Sequence, residues 1–181
     1  MNKIIISIAI AFGLSLGLAA KPAKGLKVGD NAPEFRIKDK AGKEIDLSKL
    51  SAKGPVLVRL TCGCLGCDKE LPYFQAIHEA YKKRGLISVA VFAEPDKKFA
   101  KYVKKKKLNM QYALDPGKKS WEVFGTKTMP SNFLIEKGGK VAAISKGCDP
   151  SGLLLGNLGD KAATLVKTES VDIKGKVDEK K

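Results

Sequence analysis

Arginine, histidine and tryptophan are scarce in this chain: three Arg (Arg36, Arg59, Arg84), one His and one Trp among 181 residues. The formal charge of +15, from 34 Lys and Arg against 19 Asp and Glu, is therefore almost all lysine, spread along the sequence. Such a balance suits anionic surfaces or acidic partners. Its densest block, Lys104 to Lys107, sits in a helical pattern, as a solvated face does. No aromatics interleave with the lysines there as single-strand binding requires, which argues against nucleic acid as a partner. The chain also lacks internal repeats and anything resembling a nucleotide site.

What is present begins with an apolar run over 4–20, preceded by Met1-Asn2-Lys3 and ending in Gly17, Ala19 and Ala20. A charged start, an apolar middle and a small-residue end predict a signal peptide cleaved after Ala20, although Leu18 is unusual two places before the cut. The alternative is an uncleaved N-terminal anchor, the run being near the short end for crossing a bilayer. No cysteine follows the run to carry a lipid. The expected location is exported, periplasmic or otherwise extracytoplasmic, with membrane contact only through an uncleaved N-terminus. The expected organisation is 1–20 signal, 21–27 linker, 28–167 a single domain and 168–181 a loose charged tail.

Export implies an oxidising compartment in which disulfides persist. Yet three of the four cysteines, Cys62, Cys64 and Cys67, fall within six residues. Loops that short gain little from stapling, so their crowding favours chemistry. The stretch follows a β-rich run over 56–60 and opens a helical pattern, which puts Cys64 and Cys67 at a helix N-terminus. Unpaired N–H groups and a positive partial charge there stabilise a thiolate, the form that attacks a disulfide or peroxide. A Cys-x-x-Cys in a βαβ setting reads as a thioredoxin-like redox motif, against the alternatives of a structural disulfide or a metal site.

Along the chain, strands are expected over 35–37 and 44–47 around a hairpin loop, then a brief helical turn at Ser48. The run 56–60 reads as a central strand buried on both sides, broken only by Arg59, which needs a partner near the cysteines. Leu71, Phe74, Ile77, His78 and Tyr81 recur at helical spacing, with Pro72 expected to kink the helix. A second buried strand over 86–93 completes a βαβ unit. Asp96 is expected to cap a helix to about Lys107. A short strand over 110–114, a short helix over 120–124, a hairpin of 132–135 with 141–145, and a glycine-weakened helix from Ser151 follow. The fold class is α/β, a mixed central sheet flanked by helices behind an N-terminal β-hairpin.

Over about 28–165 the chain resembles the TlpA/ResA-like branch of the thioredoxin superfamily, within the broader redoxin (AhpC/TSA) group. The resemblance rests on Gly29-Asp30-Asn31-Ala32-Pro33-Glu34-Phe35, on Cys64-Leu65-Gly66-Cys67-Asp68-Lys69-Glu70-Leu71-Pro72, and on Thr128-Met129-Pro130-Ser131-Asn132. It implies a thiol–disulfide oxidoreductase without a cofactor. Cys64 would attack a disulfide-containing protein substrate and Cys67 would resolve the mixed disulfide. Glu70 would modulate thiol titration, and a cis-proline at Pro130, with Met129, would face the dithiol and pair with substrate backbone. A membrane thiol donor would supply electrons if the enzyme acts as a reductant.

The chain departs from that family at several positions. Gly63 stands where the family usually has Trp, and Arg59 stands about where relatives carry Asn or a buried acid, making it a candidate modulator of cysteine pKa. Cys62 and Cys148 are additional, as a second disulfide, as auxiliary thiols or as free ones. A peroxidase of the peroxiredoxin type would use Cys64 with Thr61, but Leu57 stands in place of its Pro and no Arg follows Arg84. A copper or zinc site could draw on Cys62, Cys64, Cys67 and Cys148, though the only His, His78, lies in the helix after the motif.

Overall fold

The computed structural model describes residues 25–180, so the expected signal peptide and most of the linker lie outside it. The hairpin strands β1 (Arg36–Lys38) and β2 (Glu44–Asp46) pair antiparallel, and Asp46 caps α1 (Leu47–Lys53) by accepting from the Lys49 N–H. The strands β3 (Val56–Thr61), β4 (Ile87–Phe92), β5 (Gln111–Leu114), β6 (Ser131–Ile135) and β7 (Val141–Lys146) form the main sheet in the order β5-β4-β3-β6-β7. β3 runs parallel to β4 and antiparallel to β6, which makes it the central strand the apolar run predicts.

Between β3 and β4 runs α2 (Leu65–Tyr81), extended by a 3-10 turn (Lys82–Arg84) and stopped at Gly85, whose φ of 100° suits a residue without a Cβ. Pro72 lies inside α2, where it removes one backbone donor, yet the helix continues on both sides. The helices α3 (Asp96–Lys106), α4 (Lys119–Val123), α5 (Leu153–Leu165) and α6 (Ile173–Asp178) complete the fold. Pro95, not Asp96, occupies the N-cap position of α3, and Asp96 is its first helical residue.

Side chains alternate across β3, as the two-residue period of a strand requires. Val56, Val58 and Leu60 face a core with Trp121, Phe124, Phe133 and the hairpin's Phe35 and Ile45. Leu57 faces the opposite core, with Tyr73, Phe74 and Ile77 of α2 and Leu155 and Leu158 of α5. Arg59 shares the Leu57 face, so its side chain is driven under α2.

The segment expected as a loose tail is not one. Ile173 and Val177 are spaced four apart, which puts both on one face of α6, and both are buried against α2 and α5. The Tyr73 hydroxyl donates to Asp178 at 2.8 Å, and Gly159 of α5 leaves the space that Ile173 fills. Three apolar residues, Val171, Ile173 and Val177, among many charges are too few to stand out by composition. Among the described residues no helix is long and apolar enough to cross a membrane.

Candidate active site

β3 ends at Thr61, and the chain turns through Cys62 and Gly63 before α2 begins. The turn passes close to α3 and the β4–α3 loop. The Gly63 N–H donates to a Glu94 carboxylate oxygen, and a Cβ at Gly63 would stand 3.2 Å from Tyr102 Cε2. A side chain here would press on Tyr102 and Glu94, at the position where the family pattern leads one to expect Trp. Cys64 occupies the N-cap position, exposed, with no side-chain bond capping the helix, while Cys67 one turn later is buried. Both thiols thus stand at the start of a helix, as the sequence leads one to expect, one outer and one inner.

Cys62 is drawn into the same site. Its Sγ donates to Cys64 Sγ at 2.7 Å and lies 3.3 Å from Cys67 Sγ, and the three sulfurs fall within 4.8 Å of one another. The Cys62 thiol and the N–H groups of Cys67 and Gly66 favour negative charge on Cys64, so its pKa falls below the ordinary thiol value despite some opposing desolvation. Burial, and then its position as donor to Cys64, push the Cys62 thiol far up, so that it keeps its proton. Negative charge in the cluster is thus favoured on Cys64, with the neighbouring Cys62 thiol donating to it.

Beneath the cysteines lies a buried ion pair. Arg59 and Glu70 are both 0% exposed, with Arg59 Nη1 2.6 Å from Glu70 Oε2. Arg59 also donates to Asn132 Oδ1 at 2.9 Å and to the Cys67 carbonyl at 3.1 Å, and it lies over the Phe74 ring. Asn132 is directly opposite Arg59 in the β3–β6 register, on the strand that follows the proline loop. Glu70 is therefore no surface carboxylate: it neutralises the one charge in the central strand and holds it under the dithiol. Its second oxygen accepts from the Asp149 N–H at 3.4 Å, which ties in the loop carrying Cys148.

The Met129–Pro130 peptide is cis, as the resemblance implies, and the Pro130 carbonyl accepts from Gly147 N–H at 2.9 Å. Cys148 follows Gly147, exposed, and its Sγ donates to the Gly66 carbonyl at 2.8 Å between the two motif cysteines. Burial, then the nearby Glu70 charge, raise its pKa. The structure thus brings Cys148 to the first turn of α2, outside the three-sulfur cluster. His78 is remote from that cluster, eleven residues beyond Cys67 along α2, or about 16 Å at 1.5 Å per residue.

Four residues in this region, Asp68, Glu94, Tyr102 and Lys106, make contacts that carry no sequence signal of their own. Asp68 accepts from the Tyr102 hydroxyl at 2.6 Å and pairs with Lys106 at 2.6 Å, fastening α3 to the start of α2. Burial, then this bond to Asp68, push the Tyr102 hydroxyl pKa up. Glu94 fixes Gly63 with one oxygen while the other is buried with no hydrogen-bond partner among the described residues. All depend on α3 folding back over the motif, which local patterns do not report.

Residues 28–144 match the AhpC/TSA family. The chain is 34% identical over 145 residues to thiol-disulfide oxidoreductase ResA of Bacillus cereus, covering 80% of this chain and 83% of that one. It is 35% identical over 139 residues to the protein of the same name from Bacillus anthracis, covering 76% and 80%. Among solved structures, one assigned as thiol:disulfide interchange protein DsbE of Chlorobium tepidum superposes with a TM-score of 0.70 at 26% identity, over 78% of this chain and 99% of that one. With its exposed and buried thiols at the start of α2, the chain belongs to the AhpC/TSA family, as a thioredoxin-fold oxidoreductase similar to the ResA-type thiol–disulfide oxidoreductases.

Proposed function

We propose that the protein is exported and exchanges a dithiol for disulfides in protein substrates, with Cys64 as attacking thiol and Cys67 as resolving thiol. The observation that carries this reading is the placement of an exposed Cys64 at the N-terminus of α2, its pKa lowered, one turn from a buried Cys67. The Cys64 thiolate attacks a substrate disulfide, releases one substrate thiolate and forms a mixed disulfide. Cys67 then attacks Cys64 Sγ, the second substrate thiol leaves, and the Cys64–Cys67 disulfide remains. Electron pairs move among sulfurs only.

Leu65, between the two cysteines, is 83% exposed and offers an apolar contact to an incoming chain. The loop at Met129 and Pro130 supplies backbone for an extended substrate segment. Glu70 acts as a positioning residue, through Arg59 and the Cys67 carbonyl. Working as a reductant, the protein draws electrons from a membrane thiol donor. Insulin reduction by dithiothreitol tests the reading. Wild type is expected to accelerate it and Cys64→Ser to abolish the acceleration, whereas an equal rate in both removes Cys64 from the chemistry.

A further inference from the structure

Three sulfurs, not two, meet at the start of α2. A Cys-x-x-Cys enzyme needs only Cys64 and Cys67, yet a third sulfur, Cys62 Sγ, lies 2.7 Å from Cys64 Sγ. A disulfide bond is about 2.05 Å, so a modest movement closes it. Cys62 is held in place by its neighbour: Gly63 is tied to Glu94 and packed against Tyr102, so the turn delivers the Cys62 thiol to the sulfur that attacks substrate.

We propose that Cys62 is a second resolving thiol, which attacks the Cys64 mixed disulfide and passes the oxidised state on to Cys67. This rests on Cys64 being the substrate-attacking thiol. In the mixed disulfide, Cys62 Sγ attacks Cys64 Sγ, the Cys64–substrate S–S bond breaks, and the departing substrate thiolate takes up the proton that Cys62 gives up. One substrate disulfide has then become two thiols, and the enzyme holds a Cys62–Cys64 disulfide. Cys67, whose Sγ lies within 4.8 Å of Cys64 Sγ, next attacks Cys64 Sγ and returns Cys62 to the thiol with no further change in electron count. The Cys62–Cys64 ring closes across a single residue, so it is the tighter of the two and the one that yields.

The proton inventory fits this role. A Cys62 that stays protonated beside the Cys64 thiolate does not compete for substrate, and it becomes a nucleophile only after Cys64 has lost its charge by forming the mixed disulfide.

The test uses oxidised glutathione with full-length Cys67→Ser/Cys148→Ser, in which Cys62 is the only partner left to Cys64, and with the same protein also carrying Cys62→Ser. Circular dichroism establishes that both are folded. In the first protein the glutathione adduct on Cys64 should be lost on the order of 100-fold faster than in the second, as expected of an intramolecular reaction. Tryptic peptide 60–69 should then be lighter by two hydrogens, which leaves Cys62–Cys64 as the sole assignment. Equal adduct lifetimes in the two proteins overturn the proposal.

Wild type gives an independent reading. Acid-quenched early in oxidation and cleaved after Leu65, it should show a Cys62–Cys64 disulfide that gives way to Cys64–Cys67, and its absence at all times counts against the relay. If none of the proteins, wild type included, reacts at Cys64, the dithiol reading itself fails whatever Cys62 does.

Discussion

Arg59 Nη1 and Glu70 Oε2 lie 2.6 Å apart in the interior, one on the central strand and the other on the helix that carries the cysteines. Each is the reason the other is tolerated. A guanidinium in a buried strand needs a counter-charge, and a carboxylate on the inner face of α2 needs donors. The pair also fixes the distance between β3 and the first turns of α2, because Arg59 reaches the Cys67 carbonyl as well.

Removing only one partner should therefore be costly. Glu70→Ala leaves Arg59 charged and buried, and urea unfolding should show a loss of about 3 kcal/mol or more. The double change Arg59→Met/Glu70→Leu should lose less than Glu70→Ala alone, because it leaves no buried charge. A double variant as unstable as the sum of the two single ones would contradict this account.

Cys64 should lose its proton more readily than an ordinary thiol. Its lowered pKa comes first from the Cys62 thiol, so the pH midpoint for its alkylation by iodoacetamide should lie below the ordinary thiol range and move up in Cys62→Ala. The sign follows because the thiolate is the reacting form, and losing a donor to it raises the pH at which it forms. An unchanged midpoint would mean that the helix N–H groups suffice.

Cys148 should behave oppositely despite its exposure. Burial of its sulfur and the Glu70 carboxylate hold its pKa above the ordinary value, so its alkylation should need higher pH than that of Cys64. In Glu70→Gln, which removes the charge and keeps the shape, the Cys148 midpoint should fall. Mass mapping of the alkylated cysteines across pH reads both together.

The C-terminal helix should contribute to stability. Truncation after Lys167 uncovers the faces of α2 and α5 that Ile173 and Val177 bury, and should cost about 3 kcal/mol or more. Gly159→Ala should cost less but in the same direction, since its Cβ would stand 2.8 Å from Ile173 Cγ1. Unfolding midpoints equal to that of wild type would show that α6 is only loosely attached.

The elements that the sequence made legible are those whose signal is local. The run at 56–60 and the helical spacing from Leu71 to Tyr81 located the βαβ unit, and with it the placement of Cys64 and Cys67. Arg59 was visible as an anomaly that required a partner. Which partner was not visible, because Glu70, Asn132 and the Cys67 carbonyl meet only when α2 and β6 pack on β3. The contact of Cys62 with both motif sulfurs was similarly hidden, since it depends on how Glu94 and Tyr102 shape the turn. The α6 helix escaped for a different reason: two buried residues in a charged segment give too little apolar content to outweigh the polar surroundings.

The most direct test of the central claim is a redox titration of the mature protein in glutathione or dithiothreitol buffers of graded potential, with thiols counted by mass spectrometry after alkylation. The account predicts one reversible two-electron change that removes the thiols of Cys64 and Cys67 together and disappears in Cys64→Ser. Thiols that do not respond to potential, or a Cys64 that goes to sulfenic acid with peroxide while protein disulfides are left untouched, would contradict it.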